Sequence, residues 1–323
     1  MLPFSELESI TDDWFMIEDG KAVDIYFNTS WLLNYLLKQQ KGIWERPDGG
    51  PKIRIPLEYD GQEAGFYGRG DTISSDDRES VNAAYFLWKH AYGNATVLRT
   101  DMLENAGDVA KVSLVTQRVA GAQKSLTKLL AQSIYDEASG DSKRLTGILA
   151  CCNANADLAY GGIAENNLKA QDGTKPWTGR LVDTSEGIAL HVIRTMATTS
   201  KVRDGKNGKI DTVTMREELF NILVDILSTQ QRYTDDKDTA KAGFTGIKFE
   251  GKTITPDDYA PPNTAFGLNS AHIGFAVHQK GYFVRSKWKV VPNSPEDRTM
   301  KIYFDGNLVV NNRKAQIVHK NLS

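Results

Sequence analysis

The chain has 323 residues, a mass of 35.9 kDa, 39 Lys and Arg against 41 Asp and Glu, and a formal charge of −2. The length predicts about two folded units at roughly 150 residues each. The charge balance excludes a protein that grips phosphates with its whole surface, and 40% hydrophobic with 25% charged residues excludes a disordered chain. The two cysteines, Cys151 and Cys152, are adjacent. They make neither a disulfide framework nor a zinc site and read as buried small hydrophobes in a reducing cytoplasm. The stretch from Met1 to Glu8 lacks the basic and apolar regions of a signal peptide, and no apolar run approaches the about 18 residues that span a membrane.

From Met1 to about Lys41 the chain is acidic and then abruptly apolar. Asn28, Thr29 and Ser30 offer capping side chains ahead of a short helix over Trp31 to Leu37, on an otherwise extended arm. Gly42 and then Pro47 to Pro51 break it. Lys52 to Tyr59 alternates as a strand with one solvated face, Pro56 marking an edge or bulge. Asp60 to Ser80 has no periodicity, four glycines, and six acids against two bases, a net −4. Val81 to Leu98 is rich in aromatic and β-branched residues and reads as one long return strand. These pieces predict an extended hairpin with an acidic, glycine-rich tip.

A single long helix is expected over Thr100 to Glu137. Asp101 and Glu104 resemble a capping box, and Val112, Val115, Val119, Ala122, Leu126 and Leu129 recur at alternating three and four spacing. Such a helix is about 54 Å long, against a radius of gyration of about 20 Å for a ball of this length, and so crosses most of the molecule. The stripe also fits a coiled-coil seam, but Gly107, Ala120, Gly121 and Ala122 suit a helix against which a sheet or subunit lies close. Beyond Ala138 the pattern is mixed. Asp183 with Glu186, and Thr214 with Glu217, look like capping pairs ahead of the stripes Ala189, Val192, Ile193, Met196 and Leu219, Phe220, Leu223, Ile226, Leu227. The last eighty or so residues read as strands and turns, among them Gly246 to Ile254 and the alternating Met300 to Phe304.

No chemistry stands out. The five histidines, at 90, 191, 272, 278 and 319, form no metal-binding spacing. Phosphate-loop and nucleophile-elbow motifs are missing, and Gly65 to Gly70 lacks the strand-to-helix context of a dinucleotide loop. Asp204 to Asp211 has Lys206 where a calcium loop needs an oxygen ligand. Arg69-Gly70-Asp71 is a chance tripeptide, and the pairs Asp76-Asp77 and Asp257-Asp258 read as solvated turns. An arm, a projecting hairpin and a spanning helix instead leave surface that needs partners.

The order of elements resembles the tailed-bacteriophage major capsid protein with the Hong Kong ninety-seven type of fold, over almost the whole chain. Gly50 to Tyr59 is similar to the entry strand of that family's extended loop, and Ala84 to Lys89 to its return strand. Asp101 to Gly107 resembles the opening of the spine helix. Tyr160-Gly161-Gly162-Ile163 with Trp177 resembles the start of the axial domain, and Phe266 to Asn269 with Gly306 to Arg313 the late segments returning to the peripheral domain. The resemblance implies an α+β fold: an N-terminal arm (1–48), an extended loop hairpin with a peripheral-domain strand (49–99), a spine helix (100–140), a mixed axial domain with some segments returning to the peripheral domain (141–295), and C-terminal peripheral strands (296–323).

It implies a shell subunit with no enzymatic activity and no cofactor or metal, forming the hexamers and pentamers of an icosahedral head around double-stranded DNA. Assembly takes place in the bacterial host cytoplasm, and the shell ends up in the virion. Implied partners are other copies of the chain, a separate scaffolding protein, a portal and a decoration protein. DNA is met by non-specific proximity, which near-neutral charge suits, and no membrane is involved. An encapsulin-like nanocompartment is the alternative of the same fold, and a cytosolic enzyme without a recognisable site a more distant one. Two departures matter. Some family members cross-link a loop lysine to a neighbour's asparagine, and Asp60 to Ser80 has no lysine. Others carry a scaffolding segment before the arm, which here begins at Met1. Within the resemblance the loop lies over a neighbour. Its residues Glu63, Arg69, Asp71, Asp76 and Asp77 are expected to meet Lys111, Arg118, Lys124 and Lys128 of an adjacent spine helix.

Overall fold

The computed structural model describes residues 30–37, 49–61, 64, 66–72, 79–104, 108–138, 142–170, 172–202, 208–230, 234–235, 246–292 and 294–323. Helix α1, Trp31–Leu37, forms where the apolar run predicts, and the Ser30 hydroxyl accepts the Leu33 N–H at 3.3 Å. Asn28, Thr29 and the rest of the expected arm lie outside the described residues. Strands β1 (Ile53–Glu58) and β2 (Val81–Phe86) pair antiparallel, Ile53 opposite Phe86 and Glu58 opposite Val81. The alternation sends Ile53, Ile55 and Leu57 inward. The base of this hairpin rests on a tight turn at Tyr160 to Ile163, where Tyr85 N donates to Gly161 O at 2.8 Å. Gly161 (φ +60°) and Gly162 (φ +77°) take left-handed backbone that disfavours a side chain.

The expected single return strand is two. After β2 the chain bends at Leu87 and Trp88, and β3 (Lys89–Val97) joins a different sheet, paired along β13 (Ser294–Val310) from Arg298 to Gly306. Asn307 holds the bend: its fully buried side-chain amide donates to Leu87 O at 3.0 Å and Thr146 Oγ1 at 2.9 Å, and accepts Thr146 N at 2.8 Å. β13 is the axis of a five-stranded sheet that also holds β10 (Ile273–Val277), β11 (Val284–Arg285) and β12 (Lys289–Val291).

The expected helix over Thr100 to Glu137 is described as α2 (Arg99–Glu104) and α3 (Asp108–Ile134), with residues 105–107, Gly107 among them, outside the described part. Helix α3 is about 40 Å long and stops at Ile134, short of the expected Glu137. It ends because Tyr135 and Asp136 tighten into i→i−3 turns and the chain near Gly147 crosses there, Gly147 N donating to Ala138 O. Asp101 lies inside the first turn of α2 rather than ahead of the helix and pairs with Arg118 at 2.8 Å, while Asp297 on β13 accepts the Arg99 N–H. Val115, Val119, Ala122 and Leu126 are buried as the stripe predicts, but the seam continues through Leu130 and Ile134, and Leu129 is 48% exposed. The side chain of Val112 lies outside the described residues. The close approach also comes from the strand. A Cβ on Gly93 of β3 would sit 2.5 Å from Ala122 O, whereas one on Gly121 would meet open space.

The third sheet has seven strands in the order β4-β14-β9-β5-β8-β7-β6: Leu181–Val182, Ile317–His319, Ala265–Leu268, Thr212–Met215, Lys252–Pro256, Ile247–Phe249 and Thr234–Asp235. Helices α5 (Leu190–Thr199) and α6 (Glu217–Gln230) share a core with Val213, Met215, Ala265 and Ile317. Phe266, Leu268 and Val318, on the opposite face, belong to the core of α1, α3 and the five-stranded sheet. The short helix α4 (Ile148–Cys152) carries the two cysteines, both free and buried as expected. Neither expected capping pair forms. α5 has no side-chain cap, with Asp183 bonded to Asn321, and Thr214 is buried inside β5. Ile226 is only half-buried.

Two substitutions test the α3 seam. Gly93→Ala forces the helix off β3 and should cost about 1 to 3 kcal/mol, whereas Gly121→Ala on the exposed side should add about 0.5 to 1 kcal/mol through helix propensity. Urea unfolding of both measures this; equal effects would contradict the packing.

Candidate functional site

Two surfaces carry the residues that the sequence nominates. On the loop between β1 and β2, Arg69 and Asp71 are exposed, and the Asp71 carboxylate accepts the Gly68 N–H ahead of Gly70 at φ +94°. Glu63, Asp76 and Asp77 lie outside the described residues. On α3, Lys124 and Lys128 are exposed one turn apart, Arg118 is held by Asp101, and the Lys111 side chain is outside the described part. Within one chain, therefore, Asp71 and Arg118 find Gly68 and Asp101 as partners rather than each other. Sequence reasoning did not single out the bare aromatics of this loop, Phe66 and Tyr67, which are 110% and 73% exposed.

A clamp on α1 also escaped notice. Asp257 is 3% exposed, not in a solvated turn as its pairing with Asp258 suggests. It accepts Ser30 Oγ at 2.8 Å, Leu32 N at 3.1 Å and Tyr259 N at 3.0 Å, and so fixes α1 to the end of β8. Burial pushes its pKa up, against the pull of the Leu32, Ser30 and Tyr259 donors. Burial likewise raises the Tyr135 hydroxyl well above its ordinary value, with the Asp257 charge adding to it. At the other end of α1, Tyr35 donates to Asp211 at 3.4 Å, and Asp211 also takes Ser270 N at 3.1 Å.

A second knot joins the two sheets. Arg313, 1% exposed, donates to Cys151 O at 2.8 Å, Trp177 O at 2.9 Å and Asn153 O at 3.0 Å, with its guanidinium 5.1 Å from the Tyr160 ring centroid and 6.0 Å from that of Trp177. Nearby, Glu186 bonds His319 at 2.7 Å and His191 at 3.3 Å, and these bonds lower its pKa. Both features hold the C-terminal segment in place. Among the described residues no cluster of His, Cys, Asp and Glu could hold a metal ion, and no helix is long and apolar enough to cross a membrane. Of the calcium-like stretch, Asp211 is spent on Ser270, and residues 204–207 lie outside the described part.

Because the folded state binds a proton at Asp257 before the unfolded state does, this group adds stability as pH falls from its raised pKa towards the usual carboxylate value of about 3.9. Asp257→Asn lacks that slope. Urea titrations at neutral pH and at about pH 4.5 should show the difference between parent and variant moving in the parent's favour at the lower pH; a constant difference would contradict the assignment. Arg313→Lys, whose ammonium cannot span three carbonyls, should cost about 2 to 4 kcal/mol in the same assay, and parent-like stability would show that the fork is dispensable.

No family model matches the sequence, nor does any curated protein. The fold, by contrast, has clear relatives. The capsid asymmetric unit of cyanophage A-1(L) superposes with a TM-score of 0.67 at 13% identity, covering 91% of this chain and 93% of that one. The capsid of a native GTA particle gives 0.57 at 11% identity, covering 88% and 89%. The holo-SrpI encapsulin complex from Synechococcus elongatus PCC 7942 gives 0.56 at 11% identity, covering 91% and 87%. The chain thus carries, over about nine-tenths of its length, the α+β fold of the phage major capsid protein.

Proposed function

We propose that the chain is the shell subunit of a tailed-phage head, forming hexamers and pentamers around double-stranded DNA. The observation that carries this reading is a match to capsid subunits over 91% and 88% of the chain, rather than to one module of them. Surface design supports it. Among the described residues β1 and β2 pair with no other strand, and the loop between them carries bare aromatics, a costly exposure for a monomer and a useful one for a subunit. Arms and loops that make many weak contacts sum through multivalency while each stays reversible. In this reading residues 1–48 are the arm, 49–99 the extended loop and first peripheral strand, 100–140 the spine, 141–295 mainly the axial domain and 296–323 the peripheral return. Assembly in the host cytoplasm, a separate scaffold, a portal and a decoration protein belong to the same proposal, as does a shell without catalytic activity. An encapsulin-like compartment is the second reading, favoured by the equally complete match to SrpI encapsulin.

Expression of the chain with its neighbouring genes separates these readings. Particles holding nuclease-protected DNA are expected; particles filled with a cargo protein would support the compartment, and a soluble monomer at every concentration would contradict both. With no lysine between residues 60 and 80 to form an isopeptide, mature particles should give a monomer band near 35.9 kDa on boiled denaturing gels, and a ladder resistant to reductant would contradict non-covalent joining there.

A further inference from the structure

A cavity of about 470 Å³ opens between the C-terminal half of α3 and the start of β3. That is the size of a small-molecule site, for which roughly 300 to 1,000 Å³ is usual. Lys89 to Tyr92 line it in unbroken succession, and because neighbouring strand residues face opposite ways, the cavity lies against the edge of β3. Among the described residues β3 pairs with β13 alone, so this is its unpaired edge. Tyr92, Leu129 and Leu145 give the cavity apolar walls, and Leu129 is half-exposed there, off the α3 seam. The charged lining is three bases against one acid. Arg144 pairs with that acid, Asp136, and the buried Lys89 ammonium donates to Ser142 O. Lys143 is exposed beside them.

We propose that this cavity binds a small amphipathic carboxylate, an aliphatic body carrying one acid group, with the body against Leu129, Leu145 and Tyr92 and the acid at Lys143. The site is made by one chain and stands whether or not copies of that chain form a shell. Its walls reward an aliphatic body through buried area alone. The polar side chains that a sugar or a nucleobase would need are few there, since the Ser133 hydroxyl is donated to Leu130 O and His90 is bonded to Asp305. The excess of bases over acids disfavours an alkyl amine. A single exposed ammonium at the rim suits the one charge of a carboxylate better than the nearly double charge of a phosphate.

Calorimetric titration of the full-length chain with decanoate tests this, with 1-decanol as the neutral probe of the same length. Saturable binding of decanoate at one site per chain is expected, with decanol weaker. Lys143→Glu should weaken decanoate about fivefold, the scale of an exposed charge pair, and leave decanol unchanged. Leu129→Ser should weaken both probes about three- to tenfold, as a half-exposed leucine loses its apolar contact. Both substitutions are at exposed positions and leave the core intact. Leu158→Ser, at an exposed leucine outside the cavity, is the control and should bind decanoate as the parent does. Decanoate that does not bind saturably would overturn the proposal, and so would decanol binding as tightly as decanoate. Parent-like binding by Lys143→Glu and Leu129→Ser, or an equal loss in Leu158→Ser, would show decanoate coating the surface at large and would overturn it as well.

Discussion

Arg313 carries a charge into the interior and satisfies it with three carbonyl oxygens and two aromatic faces. The strand on its N-terminal side, β13, is the axis of the five-stranded sheet; the strand on its C-terminal side, β14, pairs with β9 in the seven-stranded sheet. The guanidinium therefore sits where one segment passes between sheets, and its acceptors come from α4 and the loop that follows. A buried charge is tolerated only when its hydrogen bonds are complete, so the position of each of these elements is conditional on the others. The hairpin depends on the same knot. Tyr160, under Arg313, packs edge-on against Phe86 at 5.3 Å, and Gly161 bonds the β2 backbone.

From that knot the molecule divides its labour. The two faces of the seven-stranded sheet serve different cores, with alternate residues of β9 and β14 turning one way or the other. Asp257 and Asp211 tie α1 to this sheet, so an element of the N-terminal segment is held by residues more than 170 positions away. What is left outward among the described residues includes the loop between β1 and β2 and the exposed side of α3.

Much of this was legible in the sequence because it is periodic. Ile53, Ile55 and Leu57 alternate, and Val115 to Leu126 recur at helical spacing, so β1 and α3 could be placed along with the order of elements. The failures were long-range. The start of α1 was read locally at Ser30, which does accept the Leu33 N–H, but the carboxylate that also serves it, Asp257, and the one that takes the first N–H of α2, Asp297, lie 225 and 198 residues from the groups they bind. The return strand was read as one because nothing local marks the bend that Asn307 secures from β13. Leu129 was placed in the seam because three-four spacing drifts, and after Leu126 the seam advances by fours. Of the nominated contact residues, Arg69, Asp71, Lys124 and Lys128 are on exposed surfaces, but charge counting could not find Phe66, since an aromatic in a glycine-rich loop looks in sequence like any core residue.

The central claim is that this fold exists to be repeated. A cryo-electron microscopic reconstruction of the assembled protein tests it most directly. The account predicts a closed icosahedral shell in which each subunit keeps the two sheets joined at Arg313, with the loop between β1 and β2 lying on a neighbouring copy. A preparation that yields only isolated chains, or a shell in which that loop touches nothing but its own subunit, would contradict it.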